Sequence, residues 1–179
     1  MSRARTPNVY LAGMIGTGKT TIGQALAKEL GRPFLDFDWE LKSDTGLDLH
    51  ALVRERGWLG FRVAEYETIK RLAALDGVVV GLGGGTVRYP WNLDALAGTG
   101  PIVLLTASLD VLAERVRASD RPRVNEGTTL EEDLELIWRN GKDMYLKAAT
   151  FEYPTDRGLT VEQEAAELAR RLDARATGG

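Results

Sequence analysis

Four apolar residues, Val9-Tyr10-Leu11-Ala12, run straight into Gly13-Met14-Ile15-Gly16-Thr17-Gly18-Lys19-Thr20, after which apolar positions recur at three- and four-residue spacing through Ile22, Ala25, Leu26 and Leu30. The pattern predicts a strand, a glycine loop and a helix in immediate succession. In such a loop the glycines let successive amides turn inward around an anion, and the following helix offers the positive end of its dipole. A lysine next to a threonine adds a cation for outer phosphates and a hydroxyl suited to magnesium. At average residue frequencies, chance produces this spacing in about one chain in 200 of this length, and an ordinary glycine turn does not need Lys19 followed by Thr20. Gly13, Gly16, Thr17, Gly18, Lys19, Thr20 and the adjoining Thr21 are therefore candidate contacts for a nucleoside triphosphate.

The same alternation continues along the chain. Short strand-like runs at Phe34–Asp36, Val78–Val80 and Ile102–Leu105 are interleaved with helical patterns at Asp48–Arg56, Trp58–Leu75, Leu109–Val116, Leu130–Lys147 and Val161–Leu172. A last strand is expected at Phe151–Tyr153. Alternation of this kind predicts an α/β fold with a parallel sheet covered by helices on both faces. The chain has 179 residues, 44% of them apolar, with no repeat and no linker composition, so a single domain over residues 1–179 is expected. The polar stretch 119–129, SDRPRVNEGTT, has no apolar period and is expected to form an exposed mobile loop.

Composition narrows the function. A formal net charge of −3 provides no general positive field for nucleic acid or anionic lipid, and the absence of cysteine removes thiol chemistry and thiolate metal sites. The apolar run at Val9–Ala12 is too short for a secretory signal, and no stretch has the length of a membrane helix. A soluble cytoplasmic protein acting on a small molecule is the expectation.

Ligands of open α/β sheets sit at the carboxyl ends of the strands. There Asp36 and Asp38 stand at alternate positions, one for magnesium and one for an acceptor hydroxyl, unless Asp38 serves only to cap a helix from Trp39 onward. Arg62 and Glu65, three residues apart, read most simply as a solvated surface pair. Val78–Val80 leads to Gly83-Gly84-Gly85, more glycine than a tight turn requires and a sign of close backbone approach to a ligand. His50 has no neighbouring nucleophile or second histidine and reads as a surface or packing residue. Trp39, Trp58, Trp91 and Trp138 read as packing, with lining of an acceptor pocket the alternative for Trp58 and Trp91. Glu131-Glu132-Asp133 reads as the solvated first turn of a helix.

Taken together, these motifs resemble the shikimate kinases. The phosphate loop, Phe34-Leu35-Asp36-Phe37-Asp38, Gly57 to Glu65 with Phe61-Arg62, Gly83 to Gly85, Arg121-Pro122, and Tyr145 with Ala148 follow the family's order over nearly the whole chain. The resemblance implies a three-layer phosphate-loop kinase fold with a five-stranded parallel sheet, a substrate-binding region over about 38–73 and a mobile lid over about 119–129. It implies ATP and Mg2+ as cofactors, with the metal at Thr20 and Asp36, and phosphoryl transfer to shikimate. It further implies that Lys19, Asp38 and Arg121 are catalytic, that Arg62 and Gly83 to Gly85 hold the acceptor, and that Arg115, Arg121 and Arg157 contact the nucleotide. A monomer without nucleic-acid or membrane partners is expected.

Two departures stand out. The lid reads Arg121-Pro122-Arg123-Val124, where the family reads Arg-Pro-Leu-Leu. The family's second carboxylate-binding arginine stands four residues before the tyrosine, and that position is Gly141. Arg139 is the expected replacement, reaching the site through a bend at Asn140-Gly141, with Lys142, loss of the contact, and a changed substrate as alternatives. Two other functions fit the motifs: kinase activity toward another polyol or sugar acid, and a nucleotide-binding regulatory module without turnover.

Overall fold

The protein is described by a computed structural model covering residues 5–118 and 127–177. Its elements are β1 (Val9–Ala12), α1 (Lys19–Leu30), β2 (Phe34–Asp36), α2 (Phe37–Thr45), α3 (Leu49–Ala73), β3 (Val79–Gly81), a 3-10 turn (Thr86–Arg88), α4 (Pro90–Leu96), β4 (Ile102–Thr106), α5 (Leu109–Arg117), α6 (Leu130–Ala148), β5 (Phe151–Pro154) and α7 (Val161–Thr177).

Alternate residues of β1 enter different cores. Tyr10 and Ala12 pack with residues of α3, α4 and α6, whereas Val9 and Leu11 pack with residues of α1 and α7. All four are buried, as a strand covered on both faces requires. The five strands pair in parallel in the order β2-β3-β1-β4-β5. The chain leaves β1 toward the β2 edge and leaves β4 toward the β5 edge. The crevice between the carboxyl ends of β1 and β4 is therefore the switch point at which ligands bind in such sheets.

Local chemistry sets the element ends. Gly31, in the left-handed region, closes α1 by donating to the carbonyls of Ala27 and Lys28. The two helical patterns expected on either side of Gly57 form one long helix, α3, interrupted at that glycine (φ 68, ψ 175). Asp48 caps its start by accepting from Ala51 N. The cap of α2 is Asp36, which accepts from Asp38 N at 3.0 Å, so Asp38 is not the capping residue and its carboxylate is exposed. Sequence periodicity assigns nothing to 86–97, where the structure has the 3-10 turn and α4. Pro90 heads α4, a position that loses no hydrogen bond, and Asn92 Nδ2 donates to Thr86 O, tying the two together. At the start of α6, Thr129 and Glu132 exchange side-chain-to-backbone hydrogen bonds in a capping box, while Asp133 is buried rather than solvated. Residues 119–126, most of the expected lid and with it Arg121, lie outside the described residues.

Candidate active site

The phosphate loop fills the switch-point crevice. Gly13 has φ 144, and a Cβ there would lie 2.5 Å from Leu105 O and 2.8 Å from Thr17 Oγ1. Gly16 and Gly18 also have positive φ, so three glycines are required by conformation and one of them by space as well. Thr17 is buried and donates to Met14 O, which stiffens the loop from within. Lys19 Nζ donates to the carbonyls of Gly13 and Met14 at 2.8 and 2.9 Å, lying across the loop mouth. Gly18 gives α1 no side-chain cap, leaving the first-turn amides and the dipole directed at the loop. Thr21 is exposed at the start of α1. Arg115 reaches from α5 to donate to Gly16 O at 3.2 Å, Thr155 Oγ1 at 3.0 Å and Thr155 O at 2.6 Å. It thus clasps the loop to the end of β5.

Asp36 joins this loop to the other half of the site. Its Oδ2 accepts from Thr20 Oγ1 at 2.7 Å and its Oδ1 accepts from Asp38 N. One carboxylate at the end of β2 therefore sets both the threonine hydroxyl of the phosphate loop and the backbone that carries Asp38. Thr20 and Asp36 offer hard oxygen donors. Among the described residues no group of three or more His, Asp or Glu could hold a metal. The pair fits Mg2+, which is commonly bound by one or two protein oxygens together with phosphates and water.

Arg62 projects from α3 and is fixed on several sides. Its Nη1 donates to Glu65 Oε2 at 2.7 Å, and its guanidinium carbon lies 4.1 Å from the centre of the Tyr89 ring and 4.6 Å from that of Phe61. Glu65 is buried and also accepts from Thr86 Oγ1 at 3.1 Å. The pair is therefore an anchored, mostly desolvated device and not the surface bridge that i,i+3 spacing suggests. Trp58, Leu59, Arg62 and Tyr89 line an open cleft of about 490 Å³. Trp91 stands behind it against Tyr89, ring centres 4.9 Å apart.

The three glycines after β3 are not in the left-handed region, and within the protein only Gly83 is required for space. A Cβ on Gly83 would lie 2.8 Å from Thr86 Oγ1 and 2.9 Å from Phe37 Cδ1, while Gly84 and Gly85 face open space. Tyr145, from α6, donates its hydroxyl to Gly84 O. Burial pushes the Tyr145 phenol up from its ordinary value, and the positive charge of Arg88 opposes that shift.

Two expected arginines are engaged elsewhere. Arg139 lies on the exposed flank of α6, 3.6 Å from Glu135, and α6 runs unbroken through Gly141; the bend expected to swing Arg139 into the site is absent. Lys142 is exposed as well. Arg157 donates to Pro154 O, Glu164 and Glu167 and covers the Tyr153 ring at 4.6 Å, and the hydrogen bond to Glu167 first among these holds its guanidinium still more firmly protonated. In this structure its contacts brace α7 against β5. Sequence reading missed Tyr89, Thr86 and Arg88, which lie just past the glycines on elements that periodicity did not reveal.

A phosphate loop at the switch point of a parallel 2-3-1-4-5 sheet flanked by helices is the architecture of the phosphate-loop kinases. Comparison narrows the class: the chain belongs to the shikimate kinase family, whose model, described as "Shikimate kinase", matches residues 15–173. A shikimate kinase of Legionella pneumophila (strain Corby) is 34% identical over 172 residues, spanning 96% of this chain and 98% of the relative. Among solved structures, a shikimate kinase from Acinetobacter baumannii in complex with shikimate superposes with a TM-score of 0.86 at 29% identity, covering 95% of this chain and 94% of that one. A shikimate kinase from Bacteroides thetaiotaomicron gives 0.83 at 28% identity, covering 93% and 98%.

Proposed function

We propose that this protein transfers the terminal phosphoryl group of ATP to a hydroxyl of shikimate, forming shikimate 3-phosphate. The observation that carries the proposal is the double use of Asp36, which ties Thr20 of the phosphate loop to the backbone of Asp38 through two hydrogen bonds at 2.7 and 3.0 Å. A nucleotide switch has no use for such a link; a phosphotransferase needs its donor and acceptor held in one frame.

In this reading the loop amides and Lys19 hold the outer phosphates. Asp38, exposed at the start of α2, orients the acceptor hydroxyl and takes its proton as the oxygen bonds to phosphorus and the bond to ADP breaks. Because phosphoryl transfer has a loose transition state, orientation is the larger part of that task. Mg2+ on Thr20 and Asp36 supplies neutralisation of phosphate charge when bound. Arg62, held by Glu65, faces the acceptor carboxylate, and Gly84 and Gly85 leave the backbone open to its hydroxyls. Arg121 keeps the role of a cation over the transferring group that the family resemblance implies. Dependence on ATP supports a cytoplasmic setting.

The test is ADP release, measured with ATP and Mg2+ in the presence and absence of millimolar shikimate. Shikimate is expected to raise the rate many-fold, and Asp38→Asn to cut kcat by about 100-fold or more with the KM for ATP unchanged. A background rate with shikimate while ATP still binds would return the function to another acceptor or to a regulatory module.

A further inference from the structure

The 3-10 turn that follows the glycines ends in Arg88, a half-buried cation at the carboxyl edge of the sheet. Among the described residues it has no hydrogen bond and no ion pair, in contrast to Arg62, Arg71, Arg115 and Arg157. A partly desolvated guanidinium without an anion is costly, and such a group is retained where an anion is supplied to it.

Its surroundings show where that anion would sit. The next residue, Tyr89, lines the acceptor cleft and carries Arg62 on its ring. The charge of Arg88 is felt at the Tyr145 phenol, whose hydroxyl bonds Gly84 O in the glycine turn. Arg62, meanwhile, is already paired with the buried Glu65, so the two together contribute no net charge. A monoanionic acceptor needs one more cation, and among the described residues Arg88 lies beside Tyr89 of that cleft without an anionic partner.

Gly141 lies beside the Arg88 stem. A Cβ at that position of α6 would lie 2.8 Å from Tyr145 Cε2 and 3.5 Å from Arg88 Cδ. The Arg88 stem therefore runs along the bare strip of helix that Gly141 leaves, beside the Tyr145 ring. We propose that Arg88, running past Gly141 on α6, is a specificity-determining residue that binds the carboxylate of the acceptor together with Arg62. The cation that the resemblance places on α6 comes instead from the turn after β3. This rests on the shikimate reading above, and the guanidinium fork suits a carboxylate better than a point charge does.

The experiment measures initial rates of the full-length protein with ATP and Mg2+, using shikimate and shikimate methyl ester as acceptors. Arg88→Gln is expected to raise the KM for shikimate by about 10- to 100-fold, the loss of one hydrogen-bonded charge contact, with kcat and the KM for ATP nearly unchanged. With the uncharged ester, wild type and variant should have the same KM. A merely structural role would damage both acceptors alike. If Arg88→Gln does not fold, Arg88→Lys reads the same point, with a smaller rise for shikimate and none for the ester. An unchanged shikimate KM in the folded variant, an equal rise with the ester, or a loss carried by Arg139→Ala instead overturns the assignment. A wild-type protein that ignores shikimate would overturn the functional reading itself, a result distinct from these.

Discussion

Replacing Glu65 with alanine removes two hydrogen bonds at once, from Arg62 Nη1 at 2.7 Å and from Thr86 Oγ1 at 3.1 Å. The Glu65 side chain is 2% exposed and Thr86 is fully buried, so water does not take the place of the carboxylate at the threonine. Leaving a buried hydroxyl unsatisfied costs about 1–3 kcal/mol. Arg62 keeps 22% side-chain exposure, and rehydration returns part of its charge-assisted bond, reducing that share to about 1 kcal/mol. The sum is about 3 kcal/mol. For a domain of this size, that lowers the melting temperature by roughly 6–12 °C. Because Arg62 also loses its brace, the KM for shikimate should rise about tenfold, equivalent to 1.4 kcal/mol of lost orientation. Glu65→Gln keeps one acceptor oxygen and should show about half of the thermal effect. Calorimetric melting and ADP-release kinetics on the same preparations check both numbers. A melting temperature within about 2 °C of wild type would refute the anchoring argument, and a lowered melting temperature with an unchanged KM would detach Arg62 from the acceptor.

Arg115→Ala should remove one hydrogen bond to Gly16 of the phosphate loop and two to Thr155 just past β5, raising the KM for ATP several-fold while leaving that for shikimate within about twofold; separate titrations of the two substrates distinguish these. Acid should weaken the fold through Glu167 and Asp156. The hydrogen bond from Arg157 holds Glu167 below its ordinary 4.5, and the one from Ser108 N holds Asp156 below 3.8. Since both folded values are depressed, the unfolded chain takes up protons first. This stabilisation is complete above the ordinary carboxylate values and is lost as pH falls through the lower, folded ones. Chemical denaturation between pH 7 and 3 should show Asp156→Asn losing stability at neutral pH and converging on wild type in acid.

Much of the fold was legible because its signals are local and periodic. The buried runs at Val9–Ala12 and Ile102–Leu105, the stripe through Ile22, Leu26 and Leu30, and the glycine interrupting Asp48–Leu75 each report on neighbours only a few residues apart. The phosphate loop was legible for the same reason, its motif falling within nine consecutive residues, Gly13 to Thr21. The 3-10 turn and α4 were not, being too short for a hydrophobic period; the one usable sign was Pro90 at a helix start. Spacing also failed at Asp36 and Asp38. Either residue can cap a helix, and the choice depends on where β2 ends. Arg62 and Glu65 show the limit most plainly. An i,i+3 pair looks the same in sequence whether water or protein surrounds it, and here Thr86, from another element, supplies the protein.

Arg88 and Gly141 extend that lesson. A search for a substituted cation that stays on the same helix finds Arg139 and Lys142, because helical geometry offers only neighbours rotated by about 100° per residue. Both turn out to be exposed on an unbroken helix. A binding site, however, constrains the position of a charge in space and not the element that delivers it. At Gly141 the helix gives up volume to Tyr145: an alanine methyl there would lie 2.8 Å from the Tyr145 ring, and 3.5 Å, an ordinary contact distance, from Arg88 Cδ. The glycine that weakens α6 thus makes way for the Tyr145 ring, and the arginine after the glycine turn passes it at contact distance from an element far away in sequence.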